Sequence, residues 1–325
     1  MIAFIILNYN TWEMTLRCVD SISATCKQNY TIYIVDNGSI NDSYHNLKEQ
    51  YRNNKNVVVI QNENLGYAKG NNVGIRQALK DGYDTITITN NDVIFLDESI
   101  DYLYTFLEKN QDVAVVSPYI LSPEGELQNL PSLKPVKTSD YLLYNTKLSK
   151  LATLKRKMQY HHEYYLTSNS IKDEPIPIYK FSGCCFMARS EMLEKIGLFD
   201  ENTFLYYEED ILCHIMYKSG YKACYLPDSK IVHHHGLTTG KDNLFVDTEM
   251  LKSEIYFLSR IYQLNLFWLL FIYLDRAITP IMKKMKNKYN LTFKEYLLFI
   301  RKTWVHFKKC SKLRNDKSVM MRDES

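Results

Sequence analysis

The most reactive cluster in the 325-residue chain is the acidic triplet Glu208-Glu209-Asp210. Neighbouring carboxyls repel one another, and repulsion raises one of them toward a pKa suited to taking up a proton. The triplet also opens a helical pattern, where a helix dipole favours acids in the first turn. The two roles are compatible. A second set of polar residues closes short apolar runs: Asn8, Tyr9 and Asn10 after AFIIL, Asp36 after TIYIV, and Asn90, Asn91 and Asp92 after DTITIT. Singly, each is an ordinary cap or turn former. As a set they converge on one ligand if the runs are parallel strands. His233-His234-His235 invites a zinc reading, but adjacent strand residues point to opposite faces and no cysteine pair completes a tetrahedron. The first strand is not followed by GxGxxG, and neither GxxxxGK[ST] nor GxSxG occurs, so a dinucleotide fold, a P-loop NTPase and a nucleophile-elbow hydrolase are not indicated. What remains is a nucleotide-sized cleft of carboxylates and amides without an obvious nucleophile.

The elements that would hold these residues alternate. Strands are expected at Ala3–Leu7, Thr31–Asp36, Asn56–Ile60, Asp84–Thr89 and Val113–Ser117, with helices at Thr11–Ala24, Asn41–Asn53 and Gly70–Lys80. Such alternation means βαβ units, a mainly parallel sheet, and strand C-termini along one edge where ligands bind. Residues 118–178 show no evident strand and read as an inserted or flexible segment. Order returns with a strand over Ile178–Met187 interrupted at Gly183, a helix over Glu208–Ser219, and short strands at Tyr221–Leu226 and Lys230–His233. From about Val246 the chain reads as helical.

Apolar residues make up 46% of the chain and charged residues 24%, a globular balance that excludes a disordered chain. The mean hydropathy is -0.31, and no run of 18 apolar residues occurs, which argues against polytopic insertion. MIAFIILNYN lacks a basic leader and a cleavage site, so a buried first strand is expected rather than a signal peptide. Seven cysteines without regular spacing suggest neither a disulfide framework nor structural zinc, and fit a reducing cytoplasm. From Arg276 to Ser325 there are fourteen Lys/Arg against four Asp/Glu, a tail of +10 on a body of −7. Such a tail suggests an anionic partner, phospholipid or nucleic acid. Ahead of it, NLFWLLFIYL is too short to span a bilayer; a buried core helix and an interfacial helix both fit it.

The ordered set NYN, VDNGS, NENLGYAKGNN, TNNDV, FSGCCFMARSE, GLFDE, YYEED and HHHG resembles the inverting family 2 of glycosyltransferases, nearest its bacterial rhamnosyltransferase-like branch, over roughly residues 1–240. The resemblance implies an α/β GT-A fold: a mainly parallel nucleotide-binding sheet flanked by helices, here with a helical basic C-terminal region over 241–325. It places Asn8, Tyr9 and Asn10 at the base and ribose, Asp36 on the base, and Asn37, Gly38 and Ser39 at the turn that lets the nucleotide approach the backbone. A carboxylate suits a pyrimidine because it accepts the N3–H. Asn64, Gly66, Lys69, Gly70, Asn71 and Asn72 fall in the loop expected to wrap the diphosphate, where glycines allow close approach and amides and Lys69 face its charge.

By the same resemblance, Asn90-Asn91-Asp92 stands at the family's DxD metal motif. Asp92 is then the carboxylate for Mg²⁺ or Mn²⁺, with the diphosphate completing the shell. His233, first residue of an HxxGx[ST] pattern, is the second metal-side residue. Glu209 takes the place of the catalytic base when the motif is counted back from Leu212; matching by residue type selects Asp210, with Glu208 beside them. Ser182, Gly183 and Cys184 match the loop beneath the donor sugar. The implied donor is dTDP-rhamnose or a UDP-sugar, and the implied acceptor a lipid-linked or oligosaccharide glycan of a bacterial surface polysaccharide. The basic tail then sits on anionic lipid at the inner face of the membrane rather than on nucleic acid. A non-catalytic nucleotide-sugar-binding scaffold subunit is the alternative.

Overall fold

In the computed structural model, residues 1–128, 130–167, 171, 174–234, 243–286 and 290–313 are described. The first strand, β1 (Ile2–Asn8), is buried on both faces, as a strand in the middle of a parallel sheet must be. Four strands form that part of the sheet. They are joined through α1 (Trp12–Thr25), β2 (Tyr30–Asn37), α2 (Ser43–Gln50), β3 (Val57–Asn62), α3 (Tyr67–Lys80) and β4 (Thr85–Asn90). The chain continues through β5 (Val93–Phe95), α4 (Ser99–Lys109), β6 (Val113–Leu121), α5 (Thr138–Tyr144), a 3-10 turn at Lys147–Leu151, α6 (Leu154–Tyr164) and β7 (Ile176–Ile178). Then come β8 (Cys185–Arg189), α7 (Ser190–Lys195), α8 (Glu208–Lys218) and β9 (Lys222–His233). The strand order is β3-β2-β1-β4-β8-β6-β9-β5, with β7 also on β9. Only β3-β2-β1-β4 and the β6–β9 pair are parallel; β8, β5 and β7 run antiparallel to their neighbours, so the sheet as a whole is mixed.

Strand alternation divides the core into two layers. Ile2, Phe4 and Ile6 face α1, α2 and α4, through Cys18, Ile22, Leu47, Ile100 and Leu103. Ala3 and Ile5 face α3, α7 and α8, through Ile75, Leu193, Leu212 and Met216. Gly70 and Gly74, one turn apart, let α3 lie close on the sheet; a methyl at Gly74 would come within 2.7 Å of Ile5 Cγ2. Helix α4, unassigned above, buries Ile100, Leu103 and Leu107 at helical spacing.

Three expectations need correction. The 118–178 segment carries α5, α6 and β7. Helix α6 escapes notice because only Tyr160 and Tyr164 are buried in an otherwise polar sequence. The proposed strand across Gly183 is two elements, β7 and β8, paired at different places in the sheet. Conversely, the strands expected at Tyr221–Leu226 and Lys230–His233 are one strand, β9, which begins at Lys222. Its Pro227-Asp228-Ser229 looks like a turn but is absorbed as a bulge against β6.

Beyond the sheet lie α9 (Leu244–Tyr256), a π-helical turn at Phe257–Ile261, α10 (Leu266–Ala277), α11 (Thr279–Met285) and α12 (Phe293–Leu313). They form a third core with Leu142 of α5 and Ile211 of α8. The NLFWLLFIYL run becomes α10, which buries Leu269, Ile272 and Tyr273 and leaves Phe267, Leu270 and Leu274 exposed. No helix among the described residues is long and apolar enough to cross a membrane. Arg276 at the end of α10 fastens this layer. It reaches Glu254 of α9 at 2.8 Å and donates to Asn145 O at 2.6 Å, while Tyr141 donates to the same Glu254 at 2.6 Å.

Because Glu254 is almost wholly buried, removing its cation leaves a charge without compensation. Arg276→Met is expected to cost about 3–5 kcal/mol in denaturant unfolding, with much of the loss recovered in Arg276→Met/Glu254→Leu. A single-variant loss below about 1 kcal/mol would show that the pair does not hold the tail.

Candidate active site

Parallel register sets one side of the cleft. Asn8 pairs with Asp36 and Leu7 with Asn90, so the strand ends lie level. Asp36 is buried and accepts Asn8 Nδ2 at 2.7 Å, Ser39 Oγ at 2.7 Å and Ser39 N at 3.0 Å, leaving little capacity for a further donor. Asn10, at φ 61, receives its bond from Ile40 N and gives its own N–H to Ser39 Oγ. Asn37 donates to Asn64 Oδ1 and Gly66 O, so the turn after β2 and the loop before α3 form one surface. Gly38 permits this: at φ 74, a methyl there would sit 2.6 Å from Asn64 N. Tyr9 and Lys69 remain part-exposed on this surface.

Gly70, Asn71 and Asn91 differ from that group. Gly70 faces Leu7 and Asn37 inside the α3 contact, and Asn71 is buried and donates to Tyr67 O. Asn91 is buried against Thr11 and Thr15 of the α1 start. These residues brace the cleft from behind. Asn72 likewise turns inward, to Phe199 O and Glu201.

Antiparallel pairing brings the next two residues together. Val93 of β5 lies opposite His233 of β9, and His234 N donates to Asp92 O at 2.9 Å. His233 Nε2 then stands 3.3 Å from Asp92 Oδ1, both side chains buried. Burial opposes charge on His233, yet Asp92 and Cys184 raise its pKa to about 10. Apart from His233, Asp92 Oδ1 has no hydrogen-bond donor among the described residues. One carboxylate oxygen and one imidazole nitrogen suit Mg²⁺ or Mn²⁺ as a partial donor set, provided a ligand such as a diphosphate supplies more oxygens. No cluster of three His, Cys, Asp or Glu able to hold a metal occurs among the described residues. The rest of the HxxGx[ST] pattern, from His235 to Thr238, lies outside the described residues.

The acids sit at the start of α8, aimed by Tyr206 (φ 73) and Tyr207 (φ 68) in left-handed conformation. Bulky residues hold that conformation at roughly 1–3 kcal/mol each, a strain common at functional sites. The three carboxyls then diverge. Glu208 is buried, its Oε1 without a hydrogen-bond partner, and burial with the repulsion of Glu209 pushes its pKa up to about 8. Asp210 forms an ion pair with Lys180 Nζ at 2.6 Å. Glu209 has no ion-pair or side-chain hydrogen-bond partner among the described residues. It lies against Gly183, where an added Cβ would be 3.4 Å from its own Cβ and 3.5 Å from Oε2. Burial and Asp210 raise its pKa while Lys180 opposes them.

Ser182 donates to Cys184 Sγ in the loop below, and Tyr67 joins this loop to the end of β4, donating to Gly183 O at 2.9 Å and Asn90 Oδ1 at 3.1 Å. The geometry thus adds Tyr67 and Lys180 to the site, two residues the sequence reading passed over. Both stand inside quoted motif stretches or within three residues of one, which is the only signal available for them.

Residues 3–197 match the model of the family described as Glycosyl transferase family 2. An N-acetylglucosaminyl-diphospho-decaprenol L-rhamnosyltransferase of Mycobacterium tuberculosis (strain ATCC 25618 / H37Rv) is 24% identical over 234 residues, covering 70% of this chain and 73% of that protein. A low-salt glycan biosynthesis hexosyltransferase of Haloferax volcanii is 26% identical over 214 residues, covering 66% of this chain and 60% of that protein. The crystal structure of GalNAc-T7 with UDP, GalNAc and Mn2+ aligns at TM-score 0.59 and 14% identity, covering 99% of this chain and 58% of that one. S. aureus TarS 1-349 aligns at TM-score 0.51 and 13% identity, covering 98% and 82%. At such identities the likeness speaks for the fold alone, which is GT-A, with the expected α/β sheet between helices and a helical C-terminal layer.

Glu208 generates a pH signature. Its folded pKa is raised from 4.5 to about 8, so the stability it lends as a protonated acid is complete below the ordinary carboxyl range and lost as pH rises toward 8. Glu208→Gln keeps the neutral shape. It should unfold near the wild-type temperature at pH 5 and gain on the order of a few kcal/mol over wild type at pH 9. A melting difference that is the same at both pH values would contradict the assignment.

Proposed function

The chain belongs to glycosyl transferase family 2, and from that premise we propose that it transfers a sugar from a nucleoside-diphosphate donor to a glycan acceptor with inversion, Glu209 acting as the base. The observation that carries this reading is the divergence of the triplet. Glu208 holds its proton, Asp210 is tied to Lys180, and Glu209, above the Gly183 loop, is the carboxylate with no ion pair or side-chain hydrogen bond among the described residues. In the proposed step the acceptor hydroxyl oxygen bonds to the anomeric carbon while the bond to the diphosphate oxygen breaks on the opposite face. The hydroxyl proton passes to Glu209, whose raised pKa strengthens it as a base. One displacement inverts the anomeric centre, through a transition state of oxocarbenium character.

Tyr9, Asn10, Gly38 and Ser39 form the nucleotide surface in this proposal, with the buried Asn8, Asp36 and Asn37 bracing it from within. Asn64, Gly66 and Lys69 lie along the diphosphate, with Gly70, Asn71 and Asn91 supporting from within. Asp92 and His233 would hold a divalent cation, which when bound supplies positive charge to the leaving diphosphate. Ser182, Gly183 and Cys184 underlie the sugar, where the missing side chain of Gly183 leaves room beside Glu209. The name of the mycobacterial relative, an L-rhamnosyltransferase acting on a diphospho-decaprenol, supports dTDP-rhamnose as first donor and a lipid-linked acceptor in surface polysaccharide synthesis; the UDP in the GalNAc-T7 structure supports a UDP-sugar as rival.

An inner-membrane surface fits the C-terminal layer. Phe267 (70% exposed), Leu270 and Leu274 of α10, Ile281 of α11, and Phe293 (76% exposed) and Leu297 of α12 stand outward. Lys294, Arg301, Lys302, Lys308 and Lys309 accompany them on the exposed side of α12. Apolar side chains with surrounding cations match an anionic lipid surface.

Calorimetry with UDP and dTDP, each with Mn²⁺ and with EDTA, tests the donor site. Binding of one of them is expected, and it should weaken when the metal is removed; a folded sample that binds neither overturns the proposal. Glu209→Gln should bind nucleotide as wild type does and lose transfer by roughly 10²–10⁴-fold. Full transfer by that variant would favour a base elsewhere or the scaffold alternative. For the tail, vesicle co-sedimentation should show binding to anionic lipid that falls with salt and drops by about 1 kcal/mol for each of Lys294, Arg301 and Lys302 changed to Gln. Equal binding to neutral vesicles, insensitive to salt, would count against a charge-assisted surface.

A further inference from the structure

Lys180 is assigned nothing in the proposed reaction, yet its ammonium is spent on one acid of the triplet. Its backbone is held on both sides, Ser132 N donating to Lys180 O and Lys180 N to Ser132 O, each at 3.0 Å. The side chain leaves this fixed point, two residues before Ser182, and meets Asp210 Oδ1 at 2.6 Å in a part-buried setting. Asp210 and Glu209 are consecutive on the first turn of α8. Wherever Asp210 is anchored, the orientation of that turn is anchored with it.

We propose that Lys180 is a positioning residue that selects the base, by clamping Asp210 away from the reaction and screening its charge from Glu209. The inference rests on the assignment of Glu209 as base, and it concerns a residue pair that lies outside that assignment. Among the described residues, the groups that face Glu209 are few. From its own helix come Glu208, Asp210 and the Cys213 thiol; from α3 comes the Tyr67 hydroxyl; from the segment before β8 comes Lys180. Tyr179 and Tyr207 face Asp210. His214, one turn further on, is held neutral by burial with a pKa of about 4. Lys180 is thus the cation among them. Burial disfavours its charge, but Asp210 and Glu209 together keep it firmly protonated.

Opposite consequences follow for the two partners of the clamp. Without Lys180, the full charge of Asp210 falls on Glu209 and the base is driven toward its protonated form. Without the Asp210 charge, Lys180 is released toward Glu209 and the base is weakened. A purely structural contact would not produce shifts of opposite sign.

The test is a carboxyl ¹³C titration of the full-length chain carrying ¹³C-labelled glutamate, with Glu209→Gln identifying the Glu209 resonance. In Lys180→Met the Glu209 midpoint should rise by roughly one pH unit or more. In Asp210→Asn it should fall, Lys180→Arg should stay near wild type, and Lys180→Met/Asp210→Asn should return toward wild type. An unmoved midpoint in Lys180→Met, or the same shift in Lys180→Met and Lys180→Arg, overturns the inference. Should Lys180→Met fail to fold, Asp210→Asn, which keeps size and shape, still decides: a midpoint that does not fall overturns the inference. The transfer assay of Glu209→Gln separates the two levels. Activity retained there removes the base assignment, whereas an inactive Glu209→Gln with an unmoved titration in the Lys180 variants removes only the clamp.

Discussion

Everything in the cleft depends on the register of β1. A strand buried on both faces has no freedom to slip, because a shift by one residue would exchange its two core layers. That constraint fixes Asn8 opposite Asp36 and sets Asn90 at the same height, before any side-chain interaction is considered. The hydrogen bonds among Asn8, Asp36 and Ser39 then complete a surface that the sheet has already aligned. On the other side of β4 the direction reverses. β8 runs antiparallel to it, so the Gly183 loop that leads into β8 arrives at the end where the parallel strands finish. The ends of the parallel strands and the Gly183 loop meet because of this single reversal.

The electrostatics follow from burial more than from composition. Three acids in a row would behave alike in water. In the fold, Glu208 is desolvated, Asp210 is neutralised by a cation, and Glu209 lies between those extremes. A similar division occurs at Asp92 and His233, where the buried carboxylate stands close enough to the imidazole to hold a proton on it. The strained tyrosines before α8 are the cost of directing these groups, and the packing of α8 against two cores offsets it.

Much of the nucleotide half was legible because strand ends announce themselves. An apolar run closed by Asn or Asp gives both the element and the polar residue at its C-terminal end, as with Asn8, Asp36 and Asn90. The α3 region was less legible. Its helix was expected from Gly70 but begins at Tyr67, so residues read as an open loop are helical and Gly70, Asn71 and Asn72 face inward. Helical phase decides such matters, and a boundary error of three residues reverses it. Tyr67 and Lys180 were missed for another reason: their partners, Gly183 and Asp210, are 116 and 30 residues away, beyond any local pattern. The 118–178 helices bury too few apolar residues to leave a periodic trace. The fold class survived these errors because it depends on the order of elements, and that order was correct through the parallel half.

Ile211, immediately after the acidic triplet, is wholly buried in the core made by the C-terminal helices. The helix that presents Glu209 therefore has one side in the sheet domain and the other in the tail. These layers cannot be inherited as independent modules. A lineage could not exchange its tail for a different one without first resurfacing the outer side of α8, and each change there would be felt by the carboxylates one residue away. Variation in whatever surface the tail meets is thereby coupled to the chemistry of the cleft, through a covalent neighbour and not through any long-range signal.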